Sequence, residues 1–329
     1  MQPGQARLGV MNVALPEQIA RFRADLTALA GPAPPAFGVA VSGGPDSLAL
    51  LLLAAAAFPD QVEAATVDHG LRPESAAEAA FVRGICTARA VPHATLTGPA
   101  IQGNVQAGAR VLRYQLLGDW VRTRGLAFLL TAHHQDDQAE TLLMRLQRGA
   151  GLAGLAGIRP RAEIGGLKVL RPLLGWRRAE LGEIVAEAGL IPVEDPSNSD
   201  ESYDRARLRR QLAGIDWLDA PALARSAAAL GEAEAALDWT VEQLIADRTE
   251  GAQSGLTFDA ADVPAELRRR VLLRLLALLV PAAPPRGEAV QRLLAALEAG
   301  ETATLAGVKC EGGPVWRLGP EGPRRQSDF

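Results

Sequence analysis

Apolar positions along the chain change period several times, and each change marks an element. Ile19, Phe22, Leu26 and Leu29 recur at helical spacing, so a helix is expected over 17–29, stopped by Gly31-Pro32-Ala33-Pro34-Pro35. Residues 1–13 show no such period and read as a flexible start. Phe37-Gly38-Val39-Ala40-Val41 is short, apolar and partly β-branched, the pattern of a buried strand, and 48–57 is an almost unbroken run of apolar helix formers. The strand pattern returns at 62–67, 92–96 and 126–132, with 168–170 a fifth candidate. Helices are expected over 74–89, 105–124, 135–148 and 178–188. This alternation predicts an α/β fold with a doubly wound, mostly parallel sheet, whose ligands sit beyond the carboxyl ends of the strands. The loops after strands one, two and four are therefore the place to seek chemistry.

Beyond the turn-rich stretch Glu194-Asp195-Pro196-Ser197-Asn198-Ser199-Asp200 the pattern turns helical, over 220–247, 267–280 and 289–299. The tail 302–318 alternates weakly around Gly312-Gly313 and could close as a hairpin. A chain of 329 residues exceeds one small core. The expected division is a leading helix with a flexible start over 1–35, a catalytic domain over 36–215 and a smaller, mainly helical domain over 216–329.

Composition excludes some classes. No basic start followed by an apolar core opens the chain, and the longest apolar run, 48–58, is too short to cross a bilayer, so no membrane partner is expected. Cys86 and Cys310 form neither a CxxC pair nor a metal-ligand spacing, which fits a reduced, cytoplasmic setting. The formal net charge of −4 does not announce a nucleic-acid binder. Its distribution says more: Arg145, Arg148, Arg159, Arg161, Lys168, Arg171, Arg177 and Arg178 face only Glu163, and Arg205, Arg207, Arg209 and Arg210 crowd together. Such runs are either solvated helix faces or contacts to a phosphate backbone, with Arg145, Arg148, Arg205, Arg207 and Arg209 the candidates.

Two stretches carry candidate chemistry. Ser42-Gly43-Gly44-Pro45-Asp46-Ser47 lies between a strand and an apolar helix, where glycines let the backbone approach a ligand and unpaired amides favour an anion. Ser42 and Ser47 add hydroxyls, and Asp46 suits a hydrated cation or the first-turn amides. A plain turn with a serine or aspartate cap is the alternative. The second stretch is Thr131-Ala132-His133-His134-Gln135-Asp136-Asp137-Gln138-Ala139-Glu140-Thr141. With a helix opening near His134, Asp136, Asp137 and Glu140 fall on or near one face, where like charges repel unless a cation or an ammonium sits between them. An acidic helix start is the plain alternative. The two histidines also suggest a transition metal, although adjacent histidines point apart and HExxH spacing is absent.

Ser42–Ser47 resembles the SGGxDS pyrophosphate loop of the N-type ATP pyrophosphatases, which cleave ATP between its α and β phosphates. With Val67-Asp68-His69-Gly70-Leu71-Arg72, Ala109-Arg110-Val111-Leu112-Arg113-Tyr114, the 131–151 stretch, Arg171-Pro172-Leu173-Leu174 and Glu194–Asn198, it is similar to the tRNA(Ile)-lysidine synthases over roughly 36–212. In length the chain resembles short members without an extra C-terminal domain. It departs from their pattern at Ala206, where asparagine is expected, and at Ala150, where a small hydroxyl residue is. The resemblance implies ATP and Mg²⁺ as cofactors, and free L-lysine and a tRNA(Ile) with a CAU anticodon as substrates. It implies Ser42, Gly43, Gly44, Pro45, Asp46 and Ser47 around the pyrophosphate, Asp46 and Asp136 on Mg²⁺, and Asp68 and Arg110 near the nucleotide. Asp137 and Glu140 would hold and deprotonate the lysine amine, so Asp46, Asp137 and Glu140 form the catalytic set. The alternatives are a tRNA thiolase or a small-molecule amidating synthetase of the same superfamily, or a binding module without catalysis. A homodimer is one option for its assembly.

Overall fold

The computed structural model describes residues 14–68, 75–99, 105–193, 204–212, 215, 218–252, 255–281, 285 and 287–321. The start 1–13, residues 69–72 of the second motif and the turn-rich 194–200 lie outside them. The chain forms two compact units, 1–231 and 232–329, and the division falls inside one long helix, α9 (Ala220–Arg248).

In the first unit, β1 (Phe37–Ala40), β2 (Val62–Asp68), β3 (His93–Thr97), β4 (Leu129–Leu130), β5 (Arg161–Ile164) and β6 (Leu167–Leu170) form a six-stranded sheet of order β3-β2-β1-β4-β6-β5. Every pair is parallel except β5 with β6. The expected doubly wound sheet is present, with two differences. β4 is only two residues long, because its ladder spans just Gly38–Val39 on one side and Val169–Leu170 on the other. β5 was not expected: Arg-Ala-Glu-Ile carries little apolar signal, and its burial alternates between exposed and half-buried as befits an edge. The hairpin signal was Gly165-Gly166, whose φ values of 58° and 79° match a turn that needs two left-handed residues.

The helices of this unit are α1 (Pro16–Ala30), α2 (Pro45–Ala57), α3 (Ser75–Ala88), α4 (Val105–Thr123), α5 (Gln135–Gln147), the short α6 (Leu152–Leu155), α7 (Arg178–Glu187) and α8 (Asp204–Leu212), with the start of α9. Successive strand residues face opposite sides. Val39, Ala64, Leu130 and Leu170 pack with α1, α2, α3 and α7, whereas Ala65, Leu129 and Val169 pack with α4 through Leu117, Trp120 and Val121. Leu48 to Ala54 are completely buried, which is why α2 reads as a continuous apolar run and not as a stripe. Gly38 lets α4 close on β1, since a Cβ there would lie 2.6 Å from the Trp120 ring. Strands run outward from β1 to β2 and β3, then resume on its other side with β4, so the order reverses between β1 and β4. In a parallel sheet that switch point opens the ligand crevice.

The second unit pairs the end of α9 with α10 (Ala265–Leu279) and α11 (Glu288–Glu298), on an antiparallel sheet. Its strands are β7 (Thr249–Ala252), β8 (Gly255–Asp259), β9 (Thr302–Leu305), β10 (Val308–Glu311) and β11 (Val315–Pro320), in the order β7-β8-β11-β10-β9. Helix outnumbers strand, but the sheet is larger than a terminal hairpin. β7 and β8 escape a local reading because β8 finds its central partner in the distant β11. Phe258, Trp316, Leu272, Leu275, Leu293 and Leu297 fill the core.

Around α10 the charges are paired. Glu266 accepts from Arg269, foremost, and from Arg270, and these bonds hold its carboxyl down at about 2 against the opposing effect of burial. A carboxyl held below its ordinary 4.5 stabilises the fold above that pH, and the contribution is lost as pH falls toward the native value. The advantage of the wild type over Glu266→Gln in urea unfolding should therefore be full at about pH 6 and shrink as the pH drops below the ordinary carboxylate range. An advantage that is unchanged at about pH 3 would contradict the pairing.

Candidate active site at the switch point

β1 ends at Ala40, and Val41 to Gly44 carry the backbone to α2. Gly43 has φ 89°, and its carbonyl accepts from the Val193 amide at 3.0 Å; a Cβ at Gly43 would stand 3.2 Å from the Val193 side chain in a backbone conformation that other residues adopt at a cost. The loop is tied from within. The Ser47 hydroxyl donates to the Gly44 carbonyl at 3.0 Å and accepts from the Ser42 amide at 3.1 Å, and the Ser42 and Ser47 hydroxyls lie 3.2 Å apart. Gly44 is the N-cap, Pro45 follows it, and no side chain caps α2. The plain cap is therefore not what this loop is, and its first-turn amides keep their dipole for an anion.

Asp46 in the first turn of α2 meets the second loop through His134. This histidine is 1% exposed, and its Nε2 lies 3.5 Å from Asp46 Oδ2 and 3.6 Å from Asp137 Oδ2, with Nδ1 3.8 Å from Asp136 Oδ2. It is also the N-cap of α5: its Nδ1 accepts from the Asp137 amide, while its own amide donates to Asp137 Oδ2 at 3.1 Å. That leaves Nε2 to face the carboxylates. Burial works against a charge on His134, but the Asp46 and Asp137 carboxylates, with Asp136, outweigh it and raise its pKa above the ordinary value. The sequence offered this residue only as half of a doubtful metal pair. A histidine two places before a pair of first-turn aspartates was the available signal for a buried cap. His133 points elsewhere, its Nδ1 3.1 Å from the Thr131 hydroxyl, and among the described residues no cluster of three or more His, Cys, Asp or Glu is arranged to hold a metal ion.

The three carboxylates of α5 lie within about 100° of one another round the helix, as the spacing implies, but they do not share one partner. Asp137 and Glu140, 8% and 5% exposed, share the guanidinium of Arg209 on α8: Nε donates to Glu140 Oε1 at 2.5 Å and Nη2 to Asp137 Oδ1 at 3.3 Å. Asp136, about 40° from Glu140 round the helix and one turn before it, turns to α7. It accepts from the Arg178 amide at 2.9 Å and from Arg177, so it caps that helix, and these bonds with the nearby His134 hold its carboxyl low against the opposing effect of burial. Asp46 Oδ1 and Glu140 Oε2 are buried without a partner. An oxygen-donor carboxylate with an unpartnered buried atom beside an anion loop fits a hard divalent cation, and Asp46 meets that description where Asp136 does not.

The remaining candidates fall around this centre. Asp68 ends β2 at the carboxyl edge of the sheet, beside β1. Arg110 on α4 stands over the Tyr114 ring at 5.2 Å, in the field of the buried Arg171, whose pKa is lowered chiefly by burial. Arg145 donates to the carbonyls of Gly154 and Gly157, anchoring the turn after α6. Arg148 and Arg207 are exposed, Arg209 is turned inward, and the Arg205 side chain lies outside what is described. Cys86 and Cys310 are buried, and burial lifts both thiols to about 11, slightly offset at Cys86 by Arg89. A thiol so disposed is a poor nucleophile. Among the described residues no helix is long and apolar enough to cross a membrane.

A family model for the PP-loop domain matches residues 14–214, which span the whole of this site. Over 315 residues the chain is 48% identical to the tRNA(Ile)-lysidine synthase of Novosphingobium aromaticivorans, covering 94% of this chain and 95% of that one. The chain belongs to the tRNA(Ile)-lysidine synthases. It is also 44% identical over 307 residues to the synthase of Zymomonas mobilis subsp. mobilis, covering 91% and 92% of the two chains. Among solved structures, the U34-tRNA thiolase NcsA from Methanococcus maripaludis with its [4Fe-4S] cluster superposes with a TM-score of 0.55 at 18% identity, over 66% of this chain and 78% of that one. That likeness is one of fold. Family membership makes the chain an ATP-using ligase, and the crevice between β1 and β4 is the switch point of its sheet, where open parallel sheets place their ligands.

Proposed function

We propose that this chain joins free L-lysine to C2 of the wobble cytidine in the CAU anticodon of tRNA(Ile), using ATP and releasing pyrophosphate and AMP. One observation carries the reading: His134 stands between Asp46 of the anion loop and Asp137 of the acidic pair, so the leaving-group end of ATP and the seat for a cationic nucleophile adjoin. In the first step the cytosine C2 oxygen attacks the α-phosphate and pyrophosphate leaves along the amides of Gly43 and Gly44 and the Ser42 hydroxyl. Phosphoryl transfer asks mainly for positioning and charge stabilisation, which a rigid loop on a buried helix supplies. Mg²⁺, held by Asp46, would neutralise the triphosphate; Asp136 would have to leave Arg177 and the α7 amide to join it.

In the second step the lysine ε-nitrogen attacks C2, the C2–O bond breaks and AMP departs. The free lysine amine, whose ammonium has a pKa of about 10.4, is some six units more basic than a carboxylate, so Asp137 and Glu140 first hold it as the cation. An ammonium has no lone pair, so one proton passes to them before the attack, and the nitrogen sheds a second once the C–N bond has formed. The substrates place the reaction in the cytoplasm, and we assign the basic surface and residues 216–329 to tRNA. The two buried, weakly acidic thiols give no support to sulfur transfer. Transfer of radiolabelled lysine to tRNA(Ile) bearing CAU, dependent on ATP and accompanied by stoichiometric AMP, tests the assignment. Labelling without ATP, or tRNA binding with no pyrophosphate release, would refute it.

A further inference from the structure

We propose that Arg209 is an internal stand-in for the substrate's ε-ammonium, occupying the seat of Asp137 and Glu140 until lysine displaces it. This rests on the reading that the same two carboxylates receive the lysine amine. The seat is a built one: Asp137 and Glu140 are both more than nine-tenths buried, and Glu140 Oε2 is buried without a partner while Oε1 takes Arg209. Asp137 Oδ2 is committed to the His134 amide, so Oδ1, the oxygen facing Arg209, is the one left for a cation. A lysine ammonium entering beside the guanidinium would meet a like charge within contact distance in a site shielded from solvent. The two cations must exchange.

α8 is suited to that exchange. Arg207 and Arg210 lie three residues apart on one side of it and are exposed, whereas Arg209, about 200° from Arg207, points inward. A phosphate backbone engaging the outer arginines would draw the helix outward and take Arg209 with it, linking admission of lysine to the presence of RNA. Arginine suits the stand-in role because its planar fork spans two carboxylates, whereas an ammonium is a compact charge. Arg209 is thus a positioning residue: its guanidinium bridges the two carboxylates while the site waits.

The test is calorimetric binding of L-lysine to the full-length protein without tRNA. Arg209→Met should bind lysine at least tenfold more tightly than the wild type, and Arg209→Lys should remain near it. Equal or weaker binding by a folded Arg209→Met would overturn the proposal, since a purely structural role predicts a loosened site. Should Arg209→Met fail to fold, the wild type serves alone: tRNA should tighten lysine binding, and the exposed pair Arg207→Gln with Arg210→Gln should reduce that gain. Lysine affinity indifferent to tRNA would count against it equally. Glu140→Gln separates the two readings. If it leaves lysine binding unchanged in both the wild-type and Arg209→Met backgrounds, the seat itself is misassigned; if it weakens binding in both while Arg209→Met gains nothing, only the stand-in role is lost.

Discussion

Asp137→Asn should lower lysine transfer by roughly 10²–10⁴-fold, the range for removing a positioned proton acceptor, while ATP–pyrophosphate exchange in the presence of tRNA survives. The substitution keeps the size of the side chain and one acceptor oxygen, which serves either Arg209 or the His134 amide, so the fold should hold with one of these bonds lost. What it removes is the charge that seats an ammonium and the lone pair that takes its proton. Because adenylation precedes the amine, the variant should accumulate adenylated tRNA, measurable as retained α-phosphate label. Near-normal transfer, or loss of exchange together with transfer, would discard the division of labour between the two loops.

Glu234→Ala should destabilise the unit 232–329 by ~3–5 kcal/mol, the range for breaking a buried ion pair from one side. Arg270 is 7% exposed and Glu234 5%, and the guanidinium donates to both Glu234 oxygens, at 2.9 and 2.6 Å. Removing the carboxylate leaves a dehydrated charge with Glu266 and the more distant Asp238 as its remaining partners. The double replacement Glu234→Leu with Arg270→Met should recover most of the loss, because an apolar pair carries no desolvation penalty. Urea unfolding of the single and double variants provides the measurement. A single-variant loss below about 1 kcal/mol would mean that the pair is already solvated in the native state.

These two sites differ in how far they could be read from the residues. Asp137 was legible because a strand, a polar loop and a helix-opening acidic run announce themselves locally. The Glu234–Arg270 pair was not, since nothing in a 36-residue separation says that two charges meet beneath a core. His134 illustrates the intermediate case. Its neighbourhood in the chain was visible, but its role depends on Asp46, contributed by a different loop.

Periodicity along the backbone was enough to specify the alternating strands and helices, because side-chain spacing of two or of 3.6 residues is a local property. The glycine-rich turn before α2 was equally plain, since few other residues tolerate its backbone. The strand order, which sets the two chemical loops on either side of one crevice, came from long-range pairing that no local pattern records. So did the direction of each arginine: Arg209 and Arg207 look alike in the chain, yet a turn of about 200° sends one to the carboxylates and the other to solvent. Charge and spacing said that a cation belonged between Asp137 and Glu140. Only packing of α8 against α5 made the protein itself provide one.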